Sequence, residues 1–311
     1  MKLLRLVPDG LSLPFMAARR YTIPLAVALV VLSLVGWAAK GFNFGIDFTG
    51  GLLIEVRQTQ GAADLGEIRH TIESLRLGDA QIQGIGGGTD VMIRLGEQPG
   101  GELAQQAAVE KVRLGLGPSY EFRRTEVVGP AVSKDLKMGA VWAVVASLGL
   151  ILAYLWFRFE WQFAVGAIAT TIHDVILTLG FMAYFQVPFD LPILAAILTI
   201  VGYSLNDTVV IYDRVREMMR KYKKMPMVEL VDLSINETLS RTVVTSITVM
   251  IASLALLVFG GDALHGFSFI LVVGVAVGTY SSIVVSAPFL LALGLRRGGE
   301  TGEAAAKAAK A

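Results

Sequence analysis

Long apolar runs separated by short polar breaks occupy most of the chain. Six of them reach the roughly 20 residues that a helix needs to cross a bilayer core about 30 Å thick. They lie near 21–40, 137–157, 163–185, 190–213, 242–260 and 266–293. The stretch between the first two runs, 41–136, has shorter periods. GLLIEVR at 51–57 alternates as a strand does, and 62–75 and 102–114 carry helical periodicity. AQIQGI at 80–85 and DVMIRL at 90–95 flank a glycine cluster and read as a hairpin, with SYEFRRTEVV at 119–128 as the last strand. The order β-α-β-β-α-β is the ferredoxin-like split motif. The pattern therefore predicts an α-helical polytopic membrane protein. It has a six-span bundle and an external ferredoxin-like α+β domain between spans 1 and 2.

Composition agrees. Of 311 residues, 54% are hydrophobic and only 17% charged, against about 25% charged in soluble domains. The net charge of +1 and the lack of a basic-aromatic motif argue against a nucleic-acid partner. There is no cysteine, which excludes disulfides and thiolate metal sites. The glycines at 84–88 do not form a phosphate loop, because a strand follows them rather than a helix. No nucleophile elbow, H-E-x-x-H or Walker loop is present, so no enzyme activity, cofactor or metal is expected.

Basic residues set the orientation. Arg19 and Arg20 precede span 1, Arg158 follows span 2, and the loop after span 4 holds Arg214, Arg216, Arg220, Lys221, Lys223 and Lys224. The loops after spans 3 and 5 have no Lys or Arg, so segment 1–20, tail 294–311 and both termini are expected in the cytoplasm. Span 1 is too long for a signal-peptide core and reads as retained. The tail is low-complexity and solvated.

Polar residues inside the spans carry the candidate chemistry. A charged side chain there costs free energy and tends to mark an ion or proton pathway. Asp207, with Asn206 beside it, lies in the apolar run of span 4, and Thr199, Tyr203 and Asp207 share one helix face. Span 3 holds Thr170, Asp174 and Thr178 at the same spacing, with His173 next to Asp174. Span 5 opens on Arg241 and continues through Thr245 and Thr248. The economical arrangement turns the three stripes inward to one polar core. Burial favours a neutral carboxyl and a nearby cation favours its charge, so a carboxylate between the two changes protonation when its surroundings move. Asp207 is the expected relay residue, and Arg241 is expected to reach inward as its counter-charge. Asn206, Asp174 and Asp213 are further relay candidates: Asp174 serves either the relay or helix packing, and Asp213 reads as a solvated helix end at the membrane interface. Adjacent on a helix, His173 and Asp174 are expected to diverge. Gly274, Gly278, Ser282 and Ser286 form a ridge of small residues that reads as a packing face.

Four segments together carry a resemblance. FNFGIDFTGG (42–51), SKDLKMGA (133–140), FRFEWQFAVGA (157–167) and SLNDTVVIYDRVRE (204–217) resemble the SecF family of the bacterial protein-export machinery, in the RND superfamily. The resemblance covers about 42–292. It implies an RND-type bundle in the inner membrane, a separate SecD chain as partner, and work beside the Sec translocon channel. The substrates would be unfolded preproteins. It also implies that proton-motive force, with H⁺ as coupling ion, drives late-stage translocation and release. The family's relay aspartate falls on Asp207 and its arginine on Arg241. The rival readings are half of another RND transporter, and a membrane scaffold for which Asp207→Asn is harmless.

Overall fold

A computed structural model describes residues 12–85 and 88–295. Among the described residues, six helices are long and apolar enough to cross a membrane. They are α1 (Phe15–Lys40), α5 (Pro130–Arg158), α6 (Trp161–Phe185), α7 (Leu191–Lys221), α8 (Met227–Phe259) and a broken sixth, α9 (Asp262–Val284) with α10 (Ser286–Ala292). The break at Val285 has a local cause. Pro288 has no N–H, and its ring crowds the carbonyl four residues earlier, at Val284.

Two helices outrun their apolar segments on the basic side. α7 continues to Lys221 and α8 begins at Met227. Charge pairing sustains these extensions: Arg214 meets Glu237 and Glu217, each at 2.5 Å. A hydropathy pattern sees only the lipid-crossing part of such a helix. The N-terminal end of α1 is tied to α8. Asp232 Oδ1 accepts the Met16 N–H at 2.8 Å, and Asn236 both accepts from and donates to the Leu13 backbone.

The remaining secondary structure is α2 (Ile46–Thr49), β1 (Gly51–Gln58), α3 (Leu65–Ser74), β2 (Ala80–Ile85), β3 (Asp90–Leu95), α4 (Gly101–Leu116) and β4 (Tyr120–Val128). The sheet order is β2-β3-β1-β4 and every pairing is antiparallel, as a ferredoxin-like fold requires. Leu52, Ile54 and Val56 of β1 pack with Val91 and Ile93 of β3 against Ile68, Ile72, Val109 and Val112 of α3 and α4. The helix α3 starts at 65 rather than 62 because the Asp64 carboxylate caps it, accepting the N–H of Gly66 and Glu67. Gly51 opens β1 at φ +114, and a Cβ there would run into the Leu95 carbonyl. Gly86 and Gly87 of the predicted hairpin turn lie outside the described residues.

The contacts divide the chain into two compact units. One holds most of the spans. The other holds 43–144 together with the short segment Pro188–Leu191.

The charges of the external domain are paired across the sheet. Arg57 Nε meets Asp90 Oδ1 at 2.7 Å and holds that carboxyl below its ordinary value of 3.8. Burial pulls the Arg94 guanidinium below its ordinary value, and its Nη1 donates to Asn43 Oδ1 at 3.0 Å.

Candidate functional site

The site is built on α7, and its orientation follows from one close packing. Ile200, Ser204 and Thr208 recur at i+4 on α7 and face Gly274, Gly278 and Ser282 of α9. A Cβ on Gly274 would run into Ile200, and one on Gly278 would lie 3.1 Å from Ser204 Cβ. Ser282 Oγ donates to the Ser204 carbonyl at 3.2 Å and lies 3.1 Å from Thr208 Oγ1. Ser286 Oγ donates to the Ser282 carbonyl, and Tyr212 Oη donates to the Ser286 carbonyl at 3.0 Å. With the small residues of α9 against this ridge, the next face of α7 looks toward α8.

Asp174 sits at the centre of the packed side, 1% exposed. Ser204 Oγ of α7 and Ser281 Oγ of α9 both donate to its Oδ2, the second at 2.7 Å. Its Oδ1 lies 2.9 Å from His173 Nδ1. The expected divergence of His173 and Asp174 is therefore wrong: the imidazole folds back along the helix and bonds its neighbour. One carboxylate thus joins three helices. His173 Nε2 has no hydrogen-bond partner, and its ring lies 6.2 Å from that of Tyr280.

Asp207 is also buried, 2% exposed, but it is held differently. Its Oδ1 is reached by Thr245 Oγ1 at 3.4 Å and Asn206 Nδ2 at 3.5 Å, both at the long limit of hydrogen bonding. Its Oδ2 has no partner. Arg241 is exposed and makes no ion pair with Asp207 within 4 Å. One turn before Asp207, Tyr203 Oη donates to Ser246 Oγ at 2.7 Å, and Thr279 Oγ1 lies within 3.2 Å of both oxygens.

The three predicted stripes do not merge into one core. Asn206, Thr199, Thr248 and Arg241 lie on the outside of the single chain, while Thr170, Asp174 and Thr178 are buried. The threonines are largely self-satisfied. Thr170, Thr178, Thr199, Thr245 and Thr248 each donate to the carbonyl four residues back on their own helix. Bonds between helices come from Ser204, Ser246, Ser281 and Thr279, which the sequence reading did not single out, and from Tyr203 and Ser282, which it did. The hydroxyl run at 279–282 was the available signal. Asp213 pairs with Arg158 at 2.6 Å and lies 3.7 Å from Arg216, half-exposed. His265 stacks on Phe269. Among the described residues no three His, Asp or Glu side chains gather as a metal site.

Comparison with known proteins shows what the chain is similar to. The family described as protein export membrane protein SecD/SecF, C-terminal, matches residues 108–296, and the SecD/SecF GG motif matches 35–61. A protein translocase subunit SecF from Cereibacter sphaeroides is 45% identical over 305 residues, covering 95% of this chain and 94% of the relative. A namesake from Rickettsia prowazekii is 43% identical over 289 residues, covering 92% and 93%. The crystal structure of SecDF, a translocon-associated membrane protein from Thermus thermophilus, matches with a TM-score of 0.83 at 36% identity over 92% of this chain. SecDF in a super-membrane-facing form matches at 0.68 and 35% identity, over 99% of this chain. The chain spans only 39% and 41% of those two longer chains.

Proposed function

The chain belongs to the SecF family of protein translocase subunits, and from that premise we propose that it is the SecF half of a SecD–SecF pair driven by the proton-motive force. Its place in Sec protein translocation and its nature as a multi-pass bacterial membrane protein follow from the family and the six apolar helices. The finer reading concerns how it works. Asp207 takes up and releases the coupling proton. The accompanying shift of α7 against α8 moves the external domain, which promotes late-stage translocation and release of preproteins on the periplasmic side. Both termini face the cytoplasm. A separate SecD chain covers the open face that carries Asn206 and Arg241 and adds its own carboxylate. The channel of the Sec translocon is the neighbouring partner and the unfolded preprotein is the cargo. The chain itself makes and breaks no covalent bond.

The observation that carries this reading is the unpartnered Oδ2 of a carboxylate buried between two membrane helices. A group held there for packing alone gains nothing from an unsatisfied oxygen, because buried polar atoms without partners cost about 1–3 kcal/mol. A group that exchanges a proton must leave one oxygen reachable. Moving one charge through the membrane field supplies about 2.3 kcal/mol per 100 mV, enough to bias a two-state helix arrangement.

The test is a pulse-chase of a secreted precursor in cells carrying Asp207→Asn at matched membrane level, with and without an uncoupler. The reading expects slowed export that the uncoupler slows no further. Parent-like export with full uncoupler sensitivity removes Asp207 from the mechanism and leaves a scaffold.

A further inference from the structure

The stretch 42–51 carries much of the family signal, yet the relay uses none of its side chains. Its geometry is specific. The Phe189 N–H donates to the Asn43 carbonyl and the Gly45 N–H to the Phe189 carbonyl, both at 2.7 Å, so that Phe44 and Phe189 form a parallel bridge. Gly45 permits this approach: a Cβ there would lie 3.1 Å from the Phe189 carbonyl and from Asp190 Cβ. The rings of Phe44, Phe48 and Phe189 pack on one another with centroids 5.4–6.4 Å apart. Asp47 Oδ2 accepts the Leu191 N–H at 2.9 Å, across 144 residues of chain.

Leu191 has two memberships. It closes the segment that packs with the external domain, and it is the first residue of α7, the helix that carries Asp207. The opening turn of a helix presents N–H groups with no partner inside the helix, and its dipole favours a negative charge there. Pro192, at the next position, has no N–H to offer. The Leu191 N–H is the first donor of that turn, and Asp47 takes it.

We infer that Asp47 is a coupling residue. It fastens the external end of α7 to the domain that follows span 1, so that a shift of α7 and a shift of that domain are one movement. The inference rests on the relay reading of Asp207 and adds the part that transmits its motion. The carboxylate acts as an acceptor and a charge at a helix end, and it touches neither proton nor cargo.

The chain has no cysteine, which gives a clean background for a crosslink. Neighbouring positions across a bridge suit a disulfide, which needs Cα atoms about 4.4–6.8 Å apart. The experiment compares four proteins at equal membrane level: parent, Asp47→Ala, Asp47→Asn, and Asp47→Ala combined with Phe44→Cys/Phe189→Cys. The readout is the uncoupler-sensitive part of precursor export. Asp47→Ala is expected to lose at least threefold. Asp47→Asn keeps an acceptor oxygen and is expected to stay within twofold of the parent. Oxidising the double-cysteine protein is expected to restore what Asp47→Ala lost, because the disulfide replaces the tie. A merely misfolded Asp47→Ala would not recover on oxidation, so failure to recover overturns the inference. So does parent-like export by Asp47→Ala. A silent Asp207→Asn in the same assay sinks the relay reading itself, whereas a silent Asp47→Ala beside a defective Asp207→Asn sinks only the coupling.

Discussion

Asp174 and Asp207 are both carboxylates inside the bundle, both at most 2% exposed, yet they are built oppositely. Asp174 is met by two serine hydroxyls and an imidazole from three helices. Asp207 is met by two long contacts on one oxygen and by nothing on the other. Burial alone therefore says little about what a membrane carboxylate does. Its hydrogen-bond partners say more. A fully satisfied group resists change and fixes its helices, whereas a half-satisfied one is ready for a proton or a new partner.

That contrast can be broken most directly by asking which carboxylate the fold needs. Asp174→Leu leaves Ser204, Ser281 and His173 without their shared acceptor. It is expected to destabilise the protein by about 2–3 kcal/mol, read as a lowered unfolding temperature in detergent. Asp207→Leu is expected to change that temperature little. Equal losses for the two would erase the distinction. On export the order reverses: Asp174→Asn, which offers an acceptor to the serines and a donor to His173 Nδ1, should export nearly as the parent does, while Asp207→Asn should not.

The ridge behind Asp174 gives the next effect. Gly274→Leu forces Ile200 out of place and is expected to cost about 1–3 kcal/mol. Gly278→Ala meets Ser204 at 3.1 Å and should cost less. If both are neutral by thermal unfolding, α7 is not pinned on that side. The surface pair is smaller again. Arg158→Ala removes the 2.6 Å contact with Asp213 and should cost no more than about 1 kcal/mol, because half-exposed pairs are screened.

The smallest effect lies in the external domain. Arg57 holds Asp90 below its ordinary value of 3.8. A carboxyl lowered by folding contributes stability that is fully present above that value and is lost as pH falls through the lower, folded-state value. The stability of the domain should therefore fall slightly as pH drops through this window, and Asp90→Asn should flatten that part of the curve. An unchanged acid limb would mean that the pair contributes nothing measurable.

Much of this was legible in the sequence, for reasons that particular elements make plain. The spans and the four strands follow from periodicity, because lipid and a one-sided core each demand one pattern of side chains. AQIQGI and DVMIRL begin and end where alternation says they should. Asp207 and Asp174 stood out because charge is costly where they lie. The divergence expected of His173 and Asp174 failed because adjacency on a helix sets only the directions of the Cβ atoms, while rotamers bring the ring and carboxylate together. The threonine stripes misled because a hydroxyl on a helix can satisfy itself four residues back.

The sequence by itself determined the number of membrane helices, the ferredoxin-like order of the external domain and the two carboxylates buried in the bundle, Asp174 and Asp207. These depend on hydrophobic period and on the cost of charge in lipid, which are properties of local stretches of chain. Only the tertiary structure decided which carboxylate is satisfied, that Ser204 and Ser281 converge on Asp174, and that Asp47 reaches the start of α7. Those facts depend on which helix faces which and on how closely glycine lets them approach. No local pattern encodes that, because each partner is supplied by a segment far away in the chain.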